Sequence, residues 1–102
     1  MSFVIIYITF PNEKEAKRIT EELISKRLIA CSNMFPMQSS YRWKGKVQSS
    51  DEIVAIVKTR TDNWKKVEEE IKRLHPYEVP CIIRFDVGAN PEFEEWIQDE
   101  TE

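Results

Sequence analysis

The chain is 102 residues long, 41% hydrophobic, and carries a formal charge of −3 with acidic and basic residues interleaved. That length suits a single domain spanning residues 1–102, which would bury roughly two-thirds of its unfolded surface. The charge pattern excludes the basic stripe that nucleic acid requires, and no apolar run approaches the ~20 residues of a membrane span.

Phe3 to Ile8 is a continuous apolar run, too short for an ordinary helix, and predicts a strand covered on both faces that ends at Pro11. No basic leader or small-residue cleavage site accompanies it, so the expected location is cytoplasmic. Asn12 with Glu15 forms a capping-box pattern, and Ala16, Ile19 and Leu23 follow at helical spacing. Lys26 and Arg27 would close this helix favourably for its dipole. Leu28 to Phe35 predicts a second strand containing Cys31, and after Pro36 extended chain resumes through Tyr41 and Trp43 to a turn at Lys44-Gly45-Lys46. Ile53 to Val57 is a second unbroken apolar run, bounded by Asp51-Glu52 and by Lys58-Thr59-Arg60. Thr61 then caps a helix whose Trp64, Val67, Ile71 and Leu74 make the clearest amphipathic stripe in the chain.

That helix runs into His-Pro-Tyr-Glu-Val-Pro, residues 75–80, where Pro76 stops it and Pro80 delivers an extended chain into Cys81. Cys81, Ile83, Phe85 and Val87 alternate with Ile82, Arg84 and Asp86, which predicts an edge strand with one polar face. Gly88 breaks it, and Asn90 as cap with Pro91 in the first turn opens a short last helix carrying Phe93, Trp96 and Ile97.

The order strand, helix, strand, strand, helix, strand, helix matches an α+β, ferredoxin-like split β-α-β sandwich with an extra C-terminal helix. In that topology the first and third strands are central, and these are the two unbroken apolar runs. Helices cover only one face of such a sheet, so the apolar residues of the other face need a cover, and a homo-oligomer supplies one economically. Cys31 and Cys81 would lie on opposite edges, about three strand spacings apart, too far for a disulfide.

Three kinds of chemistry are open to these residues. Cys31 with His75 could form a thiolate–imidazole pair, but the chain has no nucleophile elbow, paired-cysteine motif or phosphate-cradling glycine loop, so no enzyme is expected. Cys31, Met34, Met37 and His75 include soft ligands that suit copper, against the plainer reading of Cys31 as a small buried hydrophobe and the methionines as filler around Pro36. Tyr41, Trp43, Lys58, Arg60 and Tyr77 could line a pocket for a small anion. Alternatively, the aromatics pack between subunits and the cations are solvated.

Thr9-Phe10-Pro11, Leu28 to Asn33, Ser40-Tyr41-Arg42-Trp43-Lys44-Gly45-Lys46, Glu52 to Arg60, the hexapeptide, and Asn90-Pro91 with Trp96 together resemble the CutA family of divalent-cation tolerance proteins over almost the whole chain. The resemblance implies a ferredoxin-like homotrimer built like PII signalling proteins and linked to tolerance of copper and other divalent metals. It also implies metal contact at Cys31 and His75. Arg42 stands where the family more often has an aromatic residue, and Ser32 where it has an apolar one. A PII-like signalling or adaptor module that binds a small anion between subunits is the alternative.

Overall fold

The structure, a computed structural model, describes residues 3–102. Strand β1 (Phe3–Phe10) is followed by helix α1 (Glu13–Ser25), strands β2 (Cys31–Trp43) and β3 (Lys46–Arg60), helix α2 (Trp64–Leu74), strand β4 (Ile82–Val87) and helix α3 (Pro91–Glu100). The strands form one antiparallel sheet in the order β2-β3-β1-β4. This is the ferredoxin-like arrangement, with the two apolar runs in the centre.

Strand alternation sorts the side chains into two faces. On one, Val4, Ile6, Ile8 and Phe10 of β1 and Ala55 and Val57 of β3 meet Ala16, Ile19 and Leu23 of α1 and Val67 and Ile71 of α2, all fully buried. Trp64 and Leu74 complete the stripe, partly buried against this core. Asn12 caps α1 by accepting a hydrogen bond from the Glu15 backbone N–H at 2.9 Å, as the sequence predicts.

The other face carries Ile5 and Tyr7 of β1, Ile56 of β3, Phe35 of β2, and Ile83 and Phe85 of β4. Phe35 is 44% exposed, Ile83 45% and Phe85 51%. Helix α3 covers only one end of this open face, where Phe93 meets Phe3 edge-on at 6.1 Å. The structure sets the sense of the alternation in β4, which the sequence leaves open. Ile83, Phe85 and Val87 point away from the helices, while Ile82 packs against the core and Arg84 lies over the Trp64 ring at 5.5 Å on the helix side.

Four local expectations differ from the structure. Pro36 does not divide β2, which runs unbroken beside β3 to Trp43; on an edge strand a proline costs no ladder bond when its missing N–H would face outward. Lys26 and Arg27 lie beyond α1. Lys26 pairs with Glu70 of α2 and with Glu22, while Arg27 takes a positive φ of 58° and donates to the Asp99 carbonyl at 2.6 Å. Thr61 opens a single 3-10 turn, Thr61–Asn63, and α2 begins after it. Asn90 precedes α3 but does not cap it with its side chain. Instead Glu94 accepts from the Ala89 N–H at 3.1 Å.

Lys44 and Gly45, with φ of 51° and 81°, make a two-residue turn of the kind that matches strand twist. It joins the ends of β2 and β3 that extend past β1 as a two-stranded arm. The arm and the hexapeptide are the two walls of the site described next.

Candidate functional site

His75 follows the last residue of α2, and its backbone N–H still bonds to the Ile71 carbonyl at 2.8 Å. Pro76 then turns the chain away. The imidazole is buried, 8% exposed, and stacks on Phe10 with centroids 5.0 Å apart. The Tyr77 backbone N–H donates to Nδ1 at 3.1 Å, which leaves the ring proton on Nε2. Nε2 then donates to the Thr9 carbonyl at 2.7 Å. Burial pushes the His75 pKa below its ordinary value, against the pull of the Thr9 carbonyl. The ring is neutral and both nitrogens are occupied.

Two residues on, the chain has passed around the end of the sheet. Tyr77 Oη donates to Glu52 Oε2 at 2.5 Å on the open side, and its ring stays 4.8 Å from that of His75. Burial first, then the bond to Glu52, push the Tyr77 pKa far up, so it remains a donor. Glu52, paired with Met37 across the arm, is 7% exposed.

Between arm and hexapeptide lies a cleft of about 730 Å³, bordered by Tyr7, Met37, Tyr41, Trp43, Glu52 and Tyr77. Cys81 also borders it. Burial, and then the nearby Glu52 carboxylate, raise the Cys81 pKa, so it is a thiol rather than a thiolate.

The structure thus brings together Tyr41, Trp43 and Tyr77 from the expected anion pocket, but not its cations. Lys58 and Arg60 lie at the other end of β3. The Lys58 ammonium bonds to the Asn33 side chain. Arg60 donates to the Gln98 carbonyl at 2.6 Å, the Thr101 carbonyl at 2.8 Å and Thr101 Oγ1 at 2.9 Å, which fastens the C-terminus to β3.

Cys31 and His75 are also apart within the chain. Cys31 pairs with Lys58, which pairs with Ile5, whereas His75 binds Thr9. Four residues along β1 and two strands across separate these positions by roughly 16 Å. The Cys31 thiol is raised by burial, partly offset by Lys58. Met34 projects to the helix side, and Met37 shares the open side with Cys31 but lies six residues along β2, roughly 20 Å away, so neither converges with Cys31. Both cysteines are free. Among the described residues, no three His, Cys, Asp or Glu side chains gather into a metal-binding group.

Glu52 is the site residue that sequence reasoning passes over. Beside Asp51 it looks like the polar boundary of an apolar run, yet β3 begins six residues earlier, at Lys46. Only the period of two along that longer strand, which sets Glu52 on the same face as Val54 and Ile56, could have marked it.

The matched segments extend to known proteins. Residues 4–100 match the family described as CutA1 divalent ion tolerance protein. A divalent-cation tolerance protein CutA of Pyrococcus horikoshii is 43% identical over 99 residues, covering 96% of this chain and 97% of its own. Among solved structures, CutA1 from Oryza sativa superposes with a TM-score of 0.96 at 36% identity, covering 100% of this chain and 95% of the other. A CutA from Archaeoglobus fulgidus, described as a periplasmic divalent cation tolerance protein, superposes with a TM-score of 0.95 at 40% identity, covering 98% and 99%.

Proposed function

The chain belongs to the CutA1 divalent ion tolerance family, and on that premise we propose that it is a cytoplasmic homotrimer, built like PII proteins, that binds copper or another divalent ion in a metal response and catalyses no reaction. The observation that carries the assembly is the open face. Phe35, Ile83 and Phe85 stand about half exposed on one side of the sheet, and covering each would contribute about 1 kcal/mol. Both sheet edges, β2 and β4, are also free to meet another copy.

Assembly matters for the metal because the chain alone supplies ligands singly. Cys31 is half-buried on the open face beside Lys58, and a thiolate there suits copper(I) or zinc. It can be completed by carboxylates or sulfur of a neighbouring copy. His75 would have to surrender at least one of its two hydrogen bonds to join them, which favours a supporting role for it. The rival reading, a PII-like module holding a small anion, needs the neighbour's cations in the cleft, since Lys58 and Arg60 of the same chain are occupied elsewhere.

Calorimetry with copper and zinc on the assembled protein separates these roles. Cys31→Ser should weaken metal binding by about tenfold or more. His75→Gln should lower stability and leave affinity within about threefold. Undiminished affinity in Cys31→Ser would remove it from the site.

A further inference from the structure

The charges of the arm are sorted along its length. From Gln38 to Ser50 it carries Arg42, Lys44 and Lys46 and no acidic residue, whereas Asp51 and Glu52 stand at its base and Glu78 in the hexapeptide that faces the base. None of the residues bordering the cleft between them is basic. Glu52 is the most demanding of these acids. It is 7% exposed, and among the described residues its carboxylate accepts only from the neutral Tyr77 hydroxyl, through Oε2. A carboxylate so withdrawn from water is costly unless a cation joins it.

The same chain does not supply that cation. Lys58 lies six residues toward the other end of β3, with its ammonium on Asn33. At the tip, Lys44 lies over the Trp43 ring at 5.7 Å, and Arg42, opposite Val47, points to the other side of the arm. Lys46, opposite Trp43, shares the face of Glu52 but stands six residues from it, roughly 20 Å along the strand. It is exposed and, among the described residues, forms no ion pair.

The topology brings such a tip to the cleft of another copy. Neighbouring strands are antiparallel throughout the order β2-β3-β1-β4, so the two edge strands point in opposite directions. Rotation about an axis along the sheet therefore sets β4 of one copy antiparallel to β2 of the next. The hexapeptide, which leads into β4, then lies toward the arm end of that β2. The arm runs roughly 20 Å past Glu52, more than the roughly 14 Å from the first strand of the sheet to the last. We infer that a second copy completes the cleft, with the Lys46 ammonium at the arm tip of one chain on the Glu52 carboxylate of the next. Tyr77 steadies the carboxylate and leaves Oε1 to the ammonium. The contact rests on the homotrimer proposed above and gives it an order, tip to base, a head-to-tail pairing that closes as a ring.

A carbodiimide, which joins a carboxylate to an amine in direct contact, tests this on the intact protein. Mass spectrometry of the digested product should show Lys46 linked to Glu52. With these residues roughly 20 Å apart in one chain, such a link joins two copies. Lys46→Met, at an exposed position, should abolish the link. It should also raise the dissociation constant of the assembly about tenfold or more in the wild-type background, yet less than about threefold in a Glu52→Gln background. Dissociation is read by sedimentation in graded urea, and the fold of each chain by circular dichroism. A wild type that sediments as a single chain overturns the trimer and this contact together. A trimer with no Lys46 to Glu52 link, or one in which Lys46→Met acts equally in both backgrounds, overturns the contact and leaves the trimer standing.

Discussion

His75 binds the end of α2 to the end of β1 with one neutral ring. Because burial keeps the folded ring neutral to a lower pH than the ordinary 6.5, the unfolded chain takes up a proton that the native chain refuses. This part of the stability is full above about pH 6.5 and is lost as the pH falls toward the folded value. The thermal midpoint of the wild type should therefore fall from about pH 7.5 to about pH 5.5 more steeply than that of His75→Phe. The variant should be about 2 kcal/mol less stable at neutral pH, since it leaves the Thr9 carbonyl and the Tyr77 N–H without partners. Equal slopes in thermal melts would mean that the ring is not held neutral. Pro76 makes the helix stop at His75 legible in the sequence. Where the ring points is not, because its partner Thr9 lies 66 positions away and the alternative, a ring open to metal, uses the same residue types.

At the scale of elements, the spacing of apolar residues places every strand and helix, and the central or edge character of each strand follows from whether the apolar run is continuous. Boundaries were less legible where tertiary contacts decide them. Lys26 and Arg27 looked like dipole-complementing residues of α1, but Lys26 ties α1 to Glu70 of α2, and Arg27 ties the turn after α1 to the C-terminal segment. Glu70 is held down to about 2 by hydrogen bonds from Arg73 first and Lys26 second, so this joint persists well into acid. Arg60 shows the same effect. In sequence it is a cation at a strand end, available to an anion. In the fold its guanidinium holds three acceptors at the end of α3 and just after it, the Gln98 carbonyl and the Thr101 carbonyl and hydroxyl. Arg60→Ala should therefore cost about 2–3 kcal/mol in denaturant unfolding, with fraying of the C-terminus visible in hydrogen exchange. A loss below about 0.5 kcal/mol would show that the clamp contributes little.

For the whole molecule, the central feature is a sheet with one face closed by α1 and α2 and the other closed only at its Phe3 end by α3. The need for a second cover was legible from Phe3 to Ile8 and Ile53 to Val57, whose apolar side chains point both ways. That β4 adds Ile83 and Phe85 to the open side was not, because alternation alone does not say which of its two sets meets the helices. In the proposed assembly, copies of the chain close this face around a three-fold axis. Sedimentation equilibrium of the wild type and of Phe85→Glu, at micromolar concentration and neutral pH, tests this most directly. Three times the chain mass for the wild type, and dissociation for Phe85→Glu with the fold of each chain retained, are the predicted results. A wild type that sediments as a single chain, or a Phe85→Glu variant that stays trimeric, would contradict the account.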